Sequence, residues 1–102
     1  QSPVNGGMYK AMHCVDIAFQ FNNIARCQEM TGGGKEAYAL ADKISSAWIN
    51  FAKTGNPNTS SLPKWPAYTA ENGATMILDN QCIVKNHPDN ELLKIVAAAP
   101  KP

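Results

Sequence analysis

No charge of one sign dominates this chain: nine Lys and Arg stand against eight Asp and Glu, a formal net charge of +1. So even a balance sets up no field able to gather phosphates or anionic lipid, and neither nucleic acid nor a membrane surface is expected as a partner. Long apolar runs are also missing. All fall far short of the roughly 20 residues that a bilayer crossing requires, and a soluble chain is expected. Cysteine is scarce: Cys14, Cys27 and Cys82 are odd in number and irregular in spacing, which excludes a complete internal disulfide framework and leaves room for one pair at most. Free, partly buried thiols are the expectation, since an isolated Cys behaves mainly as a small hydrophobe. There is no Cys-x-x-Cys and no paired-histidine spacing among His13, Cys14, Asp16, Cys27, Cys82 and His87, so neither metal nor cofactor is expected. The opening Gln1-Ser2-Pro3-Val4-Asn5 has no initiating Met and none of the charged or apolar regions of a signal peptide. The chain is therefore expected to begin in mid-protein, with its compartment left open.

What is present is ordinary for a soluble globular unit: 102 residues, 44% hydrophobic and 17% charged. The clearest element is a helix from Glu36 to Ala52. Its apolar positions Ala37, Leu40, Ala41, Ile44, Ala47, Trp48, Phe51 and Ala52 follow the three-and-four spacing of one buried face, opposite Lys35, Asp42, Lys43, Ser46 and Asn50. Gly32-Gly33-Gly34 precedes it and reads as a flexible linker. Gly55, followed by Pro57, supplies its stop. Upstream, Met8 to Phe21 is an apolar stretch with room for a short helix. Downstream, the prolines of Leu62-Pro63-Lys64-Trp65-Pro66-Ala67-Tyr68 forbid regular helix and favour an extended strap anchored by its aromatic rings. Ala74 to Asp79 and Cys82 to Asn86 read as two short strands, and a last helix starts near Pro88 and ends before Pro100. The class is mixed α/β, with too few strands to close a sheet. Two short strands and an amphipathic helix need an external surface to bury their apolar faces, which points to a piece of a larger domain.

His13 stands in Tyr9-Lys10-Ala11-Met12-His13-Cys14-Val15-Asp16-Ile17-Ala18-Phe19-Gln20-Phe21, a polar residue in a largely apolar setting. Taken alone, such a histidine is more often structural than functional. The order His, small residue, any residue, acid, aliphatic, any residue, Phe, any residue, Phe nevertheless resembles the segment around the catalytic histidine of type-B carboxylesterases and cholinesterase-like proteins. The resemblance continues in order. Leu40 to Asn58, with its Trp48, Phe51-Ala52 and Thr54-Gly55-Asn56-Pro57, is similar to that family's late helix, and Leu62 to Tyr68 and Thr75 to Asp79 to its final strap and strand. The match covers Met8 to Leu93. Cys14, at a site usually filled by a small residue, and Lys10, where smaller or less charged residues are familiar, depart mildly from the pattern.

The resemblance implies that residues 1–102 are the C-terminal fragment of a single α/β-hydrolase catalytic domain: a short helix after the His loop, one long amphipathic helix, two short strands and a C-terminal helix. It implies a serine carboxylesterase acting through an acyl-serine intermediate. His13 would be its general base and then general acid, passing the serine proton to the leaving alcohol. Asp16 occupies the family's acidic position after the histidine, which is not the triad acid, and a supporting hydrogen-bond role is expected of it. None of Ser2, Ser45, Ser46, Ser60 and Ser61 lies in Gly-x-Ser-x-Gly, the sharp turn that exposes a hydrolase nucleophile. The serine, the orienting acid and the oxyanion donors are therefore expected upstream of Gln1, and this chain alone is expected to be inactive. Its expected partners are the remainder of its own domain and a small-molecule ester, with self-association through uncovered apolar faces. A second reading is a cholinesterase-like adhesion or interaction protein that keeps the fold without the chemistry.

Overall fold

Residues 1–100 are described in a computed structural model. In chain order the elements are α1 (Val4–Gly7), α2 (Ile17–Gln20), a 3-10 turn (Ile24–Arg26), α3 (Gln28–Thr31), α4 (Lys35–Thr54), β1 (Ala74–Ile77), β2 (Ile83–Asn86) and α5 (Asn90–Ala98). The long helix, the two strands and the last helix lie where the sequence pattern puts them. The single-turn segments α1 and α3 and the 3-10 turn are too short to leave a periodic signal.

At 20 residues, α4 is about 30 Å long and is the scaffold of the chain. Glu36 in its first turn and Lys53 in its last complement the helix dipole. Gly55 ends it with a left-handed backbone (φ 76°) and donates its N–H to the Phe51 carbonyl at 2.7 Å. The glycine run in front of α4 is not a free linker. Gly32 closes α3, with its N–H on the Gln28 carbonyl at 2.8 Å, and Gly34 is the N-cap residue of α4, its carbonyl accepting from Ala37 N–H at 3.0 Å. A run of glycines between two helices therefore serves as consecutive stop and start signals.

The buried stripe of α4 is Ala37, Ala41, Ile44, Ser45 and Ala47. Its N-terminal part packs on α2 and the 3-10 turn, where Ala18, Ile24, Ala37 and Ala41 form the core, with Phe19 and Cys27 against it. Small residues on α4 let these short elements approach closely. Trp48, expected as a core anchor, is 54% exposed, and Phe51 is 49% exposed. They line an open apolar groove of about 290 Å³ together with Ile44, Ala47, Pro57, Trp65 and Leu78. The aromatic strap thus meets α4 through Trp65, but the two leave a trough between them.

Strands β1 and β2 form an antiparallel pair in the register Ala74–Asn86, Thr75–Lys85, Met76–Val84 and Ile77–Ile83. Ala74 and Met76 alternate inward, as the period of two requires, whereas Ile83 on β2 is exposed. Helix α5 buries no residue at all. The chain exposes 7607 Å², whereas a folded monomer of 11.0 kDa typically exposes about 5,600 Å². Its radius of gyration of 15.5 Å likewise exceeds the roughly 13 Å of a compact domain of this length. The excess surface is apolar in part: Phe21, Ile49, Leu92, Leu93, Ile95 and Val96 are all exposed.

Candidate functional site

His13 is presented by a tight turn. The Val15 N–H donates to the Met12 carbonyl at 3.3 Å, which places His13 and Cys14 at the two central positions. Cys14 has φ 68°, the left-handed backbone that the third residue of a type II turn requires. The chain then passes directly into α2, with Ile17 N–H on the Cys14 carbonyl at 3.3 Å. Before the turn, Ser2 is almost wholly buried, and its N–H donates to the Lys10 carbonyl at 3.0 Å, closing residues 2–10 into a loop. The turn is therefore held on one side by this closed loop and on the other by α2, which packs on α4. Short-range hydrogen bonds position the histidine without covering it, and His13 is exposed.

Asp16 lies three residues further on, at the entrance to α2, and is also exposed. Its Oδ2 accepts from Gln20 Nε2 at 2.6 Å, and its carbonyl accepts from Phe19 N–H and Gln20 N–H at 3.0 Å each. The carboxylate is thus engaged along its own helix. Among the described residues the ion pair is that of Lys94 with Glu91, not one between His13 and Asp16. Gln20 is the partner the sequence reading missed; a Gln four residues after an Asp is the helical spacing that could have revealed it. The three cysteines are free, and Cys14, beside the histidine, is exposed rather than partly buried as expected. Among the described residues no three His, Cys, Asp or Glu side chains cluster to hold a metal ion, and no helix is long and apolar enough to cross a membrane.

His87, the second histidine, lies apart from this turn. Its ring nitrogen Nε2 is 2.9 Å from the Glu71 carbonyl, and its backbone joins Gly73 and Asn90, so it clamps the end of the hairpin to the start of α5. The site on this chain accordingly consists of one exposed imidazole on a hydrogen-bonded turn. An imidazole so placed can accept and return a proton once a nucleophile is brought to it.

Comparison with known proteins gives this arrangement its family. The model of the carboxylesterase family matches residues 2–96. The chain is 40% identical over 84 residues to para-nitrobenzyl esterase of Bacillus subtilis (strain 168), a match covering 80% of this chain and 17% of that protein. It is 30% identical over 84 residues to phenmedipham hydrolase of Pseudarthrobacter oxydans, covering 78% of this chain and 17% of the relative. Among solved structures, an esterase of Clostridium hathewayi described as hydrolysing aliphatic aromatic polyesters superposes with a TM-score of 0.74 at 36% identity, over 88% of this chain and 18% of that one. The chain thus spans less than a fifth of the length of these proteins. Its helices and hairpin are a part of the α/β-hydrolase fold, and the chain belongs to the carboxylesterase family.

Proposed function

We propose that residues 1–102 form the C-terminal part of one serine carboxylesterase domain, and that His13 is its general base and acid. The observation that carries this reading is the presentation of His13: an exposed imidazole on a hydrogen-bonded turn, inside the segment that the family model matches. In such a site the neutral imidazole takes the proton of a serine hydroxyl as the oxygen attacks the ester carbonyl. It then gives that proton to the departing alcohol, and in the second half-reaction it activates water in the same way. The serine, the acid that orients the imidazole and the oxyanion donors come from the remainder of the domain. The uncovered faces of α4, β2 and α5 supply the surface on which that remainder packs. Asp16 supports the first turn of α2, through Gln20, rather than touching the reacting atoms. The substrates are small carboxylic esters.

The test uses the whole protein that contains this chain, assayed on an activated ester such as a nitrophenyl acetate. Replacing His13 with Ala is expected to lower kcat by about a thousandfold or more, with little change in thermal stability, since the residue is exposed. This chain by itself is expected to turn over no faster than free imidazole. An H13A protein with undiminished kcat would remove His13 from the mechanism. A whole protein that folds but hydrolyses no ester would replace the esterase with a binding relative.

A further inference from the structure

We propose that the Asn5–Gly6 bond is a site of spontaneous modification, at which the Asn5 side chain is converted to a carboxylate while the second Asn–Gly pair, Asn72–Gly73, is protected by the fold. The reaction is intramolecular. The backbone nitrogen of Gly6, once deprotonated, attacks Cγ of Asn5. A carbon–nitrogen bond forms, the side-chain nitrogen leaves as ammonia, and a five-membered succinimide results. Water then opens either carbonyl of that ring, giving aspartate or its backbone-inserted isomer, isoaspartate. Water is consumed and ammonia released, with no oxidant or reductant involved. A following glycine favours the attack because it has no Cβ to crowd the incoming nitrogen.

The two Asn–Gly pairs of this chain differ in what restrains them. At Asn5 the side-chain amide has one hydrogen bond, Nδ2 to the Tyr9 hydroxyl at 3.1 Å, and both residues are exposed. Asn5 and Gly6 are left-handed, with φ of 51° and 65°, and a Cβ added at Gly6 would meet nothing within 4 Å. Attack requires rotation about ψ of Asn5, which meets no steric crowding at Gly6 and gives up the longer backbone bonds of Met8 N–H to the Asn5 carbonyl at 3.3 Å and of Gly7 N–H to the Pro3 carbonyl at 3.2 Å. At Asn72 the amide is held at both ends: Oδ1 accepts from Thr69 N–H and Ala74 N–H at 2.9 Å each, and Nδ2 donates to the Ala67 carbonyl at 3.2 Å. The nitrogen that would attack there, Gly73 N, donates to the Thr69 carbonyl at 2.8 Å, and the His87 ring lies against Gly73. Rotation at Asn72 must first break this set.

The modification sets a negative charge, and in the isoaspartate form an extra backbone carbon, into the loop that the Ser2–Lys10 hydrogen bond closes, just ahead of the His13 turn that begins at Met12. The Tyr9 hydroxyl, which accepts from the amide, can turn to donate to the new carboxylate. The site stands on the two side-chain environments alone and is independent of the esterase reading.

The experiment is incubation of the protein at mildly alkaline pH, followed by peptide mapping with mass spectrometry and isoaspartate detection, with a denatured sample run in parallel. In the folded protein, Asn5 is expected to convert about tenfold faster than Asn72 or more, and in denaturant the two rates are expected to converge, because only the fold distinguishes them. An Asn5→Gln variant is expected to lose the fast phase in the N-terminal peptide and to leave Asn72 unchanged. Equal rates in the folded protein, or faster conversion at Asn72, would overturn the proposal, as would a fast phase that survives Asn5→Gln.

Discussion

Asn58 and Trp65 are joined by two hydrogen bonds of opposite direction: Trp65 N–H donates to Asn58 Oδ1 at 2.6 Å, and Asn58 Nδ2 donates to the Trp65 carbonyl at 2.9 Å. A side-chain amide here does what a neighbouring strand would do, satisfying both backbone groups of a residue flanked by proline on its far side. The same Nδ2 also reaches Asn56 Oδ1 at 2.8 Å, and Asn50 on α4 donates to the carbonyls of Asn56 and Asn58 at 2.8 Å each. Helix, loop and strap are thereby tied at one point, which fixes where Trp65 meets the groove. Asn58→Ala is expected to destabilise the chain by about 1–3 kcal/mol, read as a lower denaturant midpoint at constant m-value. Asn58→Asp should be nearly as damaging despite its shape, because a carboxylate oxygen would replace the donor facing two oxygens. A neutral result for Asp would mean that the Nδ2 contacts contribute nothing.

The hairpin end depends on a different pair. Gly73 has φ 53°, and the place a Cβ would take is filled by the His87 ring, which itself springs from a left-handed residue at φ 46°. Gly73→Ala thus meets two penalties, backbone strain and a clash. Each is worth about 1–2 kcal/mol where the neighbour can move. His87→Ala removes the clash and leaves the strain. In a double-mutant cycle G73A and H87A are expected to be less than additive by about 1 kcal/mol, as measured by denaturant melts of the four proteins. Strict additivity would show that the ring swings away at no cost.

How much of this was legible in the sequence depends on the range over which each feature is decided. Helix α4 showed its apolar stripe and its glycine stop, and the two strands their short runs of β-compatible residues, because these signals are set within a few residues. The strap was legible from its prolines, which act locally on φ. The exposure of Trp48 and Phe51 was not, because burial depends on what packs against a face, and the chain's own strap covers these rings only partly. The aim of the Asp16 carboxylate toward Gln20 was equally invisible, since a short helix after an isolated His leaves too little pattern to choose a rotamer partner.

The His13 turn carries one lesson that the sequence held without explaining it. The two departures from the family's usual residues, Lys10 and Cys14, both occupy left-handed backbone, with φ of 48° and 68°. Small residues suit such positions because a Cβ there crowds the following carbonyl. Cys14→Gly should therefore relieve strain of about 1–2 kcal/mol, offset by about 1 kcal/mol of added chain entropy. The net change expected is between zero and about 1 kcal/mol of stabilisation. Cys14→Val, branched at Cβ, is expected to destabilise by about 1 kcal/mol or more. Thermal melts of the two variants decide it: a Val variant as stable as the Gly variant would mean that the turn changes type to suit its residue.

Helix α5 offers the sharpest contrast between this chain and the protein that contains it. Leu92, Leu93, Ile95 and Val96 are 59%, 61%, 69% and 62% exposed, so none contributes its full burial here. Leu92 and Val96 share a helix face at a spacing of four, and replacing both with Glu puts two charges on that face. In the isolated chain this change is expected to move stability by no more than about 0.5 kcal/mol, and to weaken self-association measured by sedimentation, because the apolar face is what would draw copies together. In the whole protein the same change is expected to cost several kcal/mol, since each Glu would have to be desolvated without a partner beneath the rest of the domain. The comparison separates the two roles of the face. Equal, small effects in both proteins would mean that α5 stays in solvent even in the complete domain, and that the surplus surface of this chain is not the place where the remainder packs.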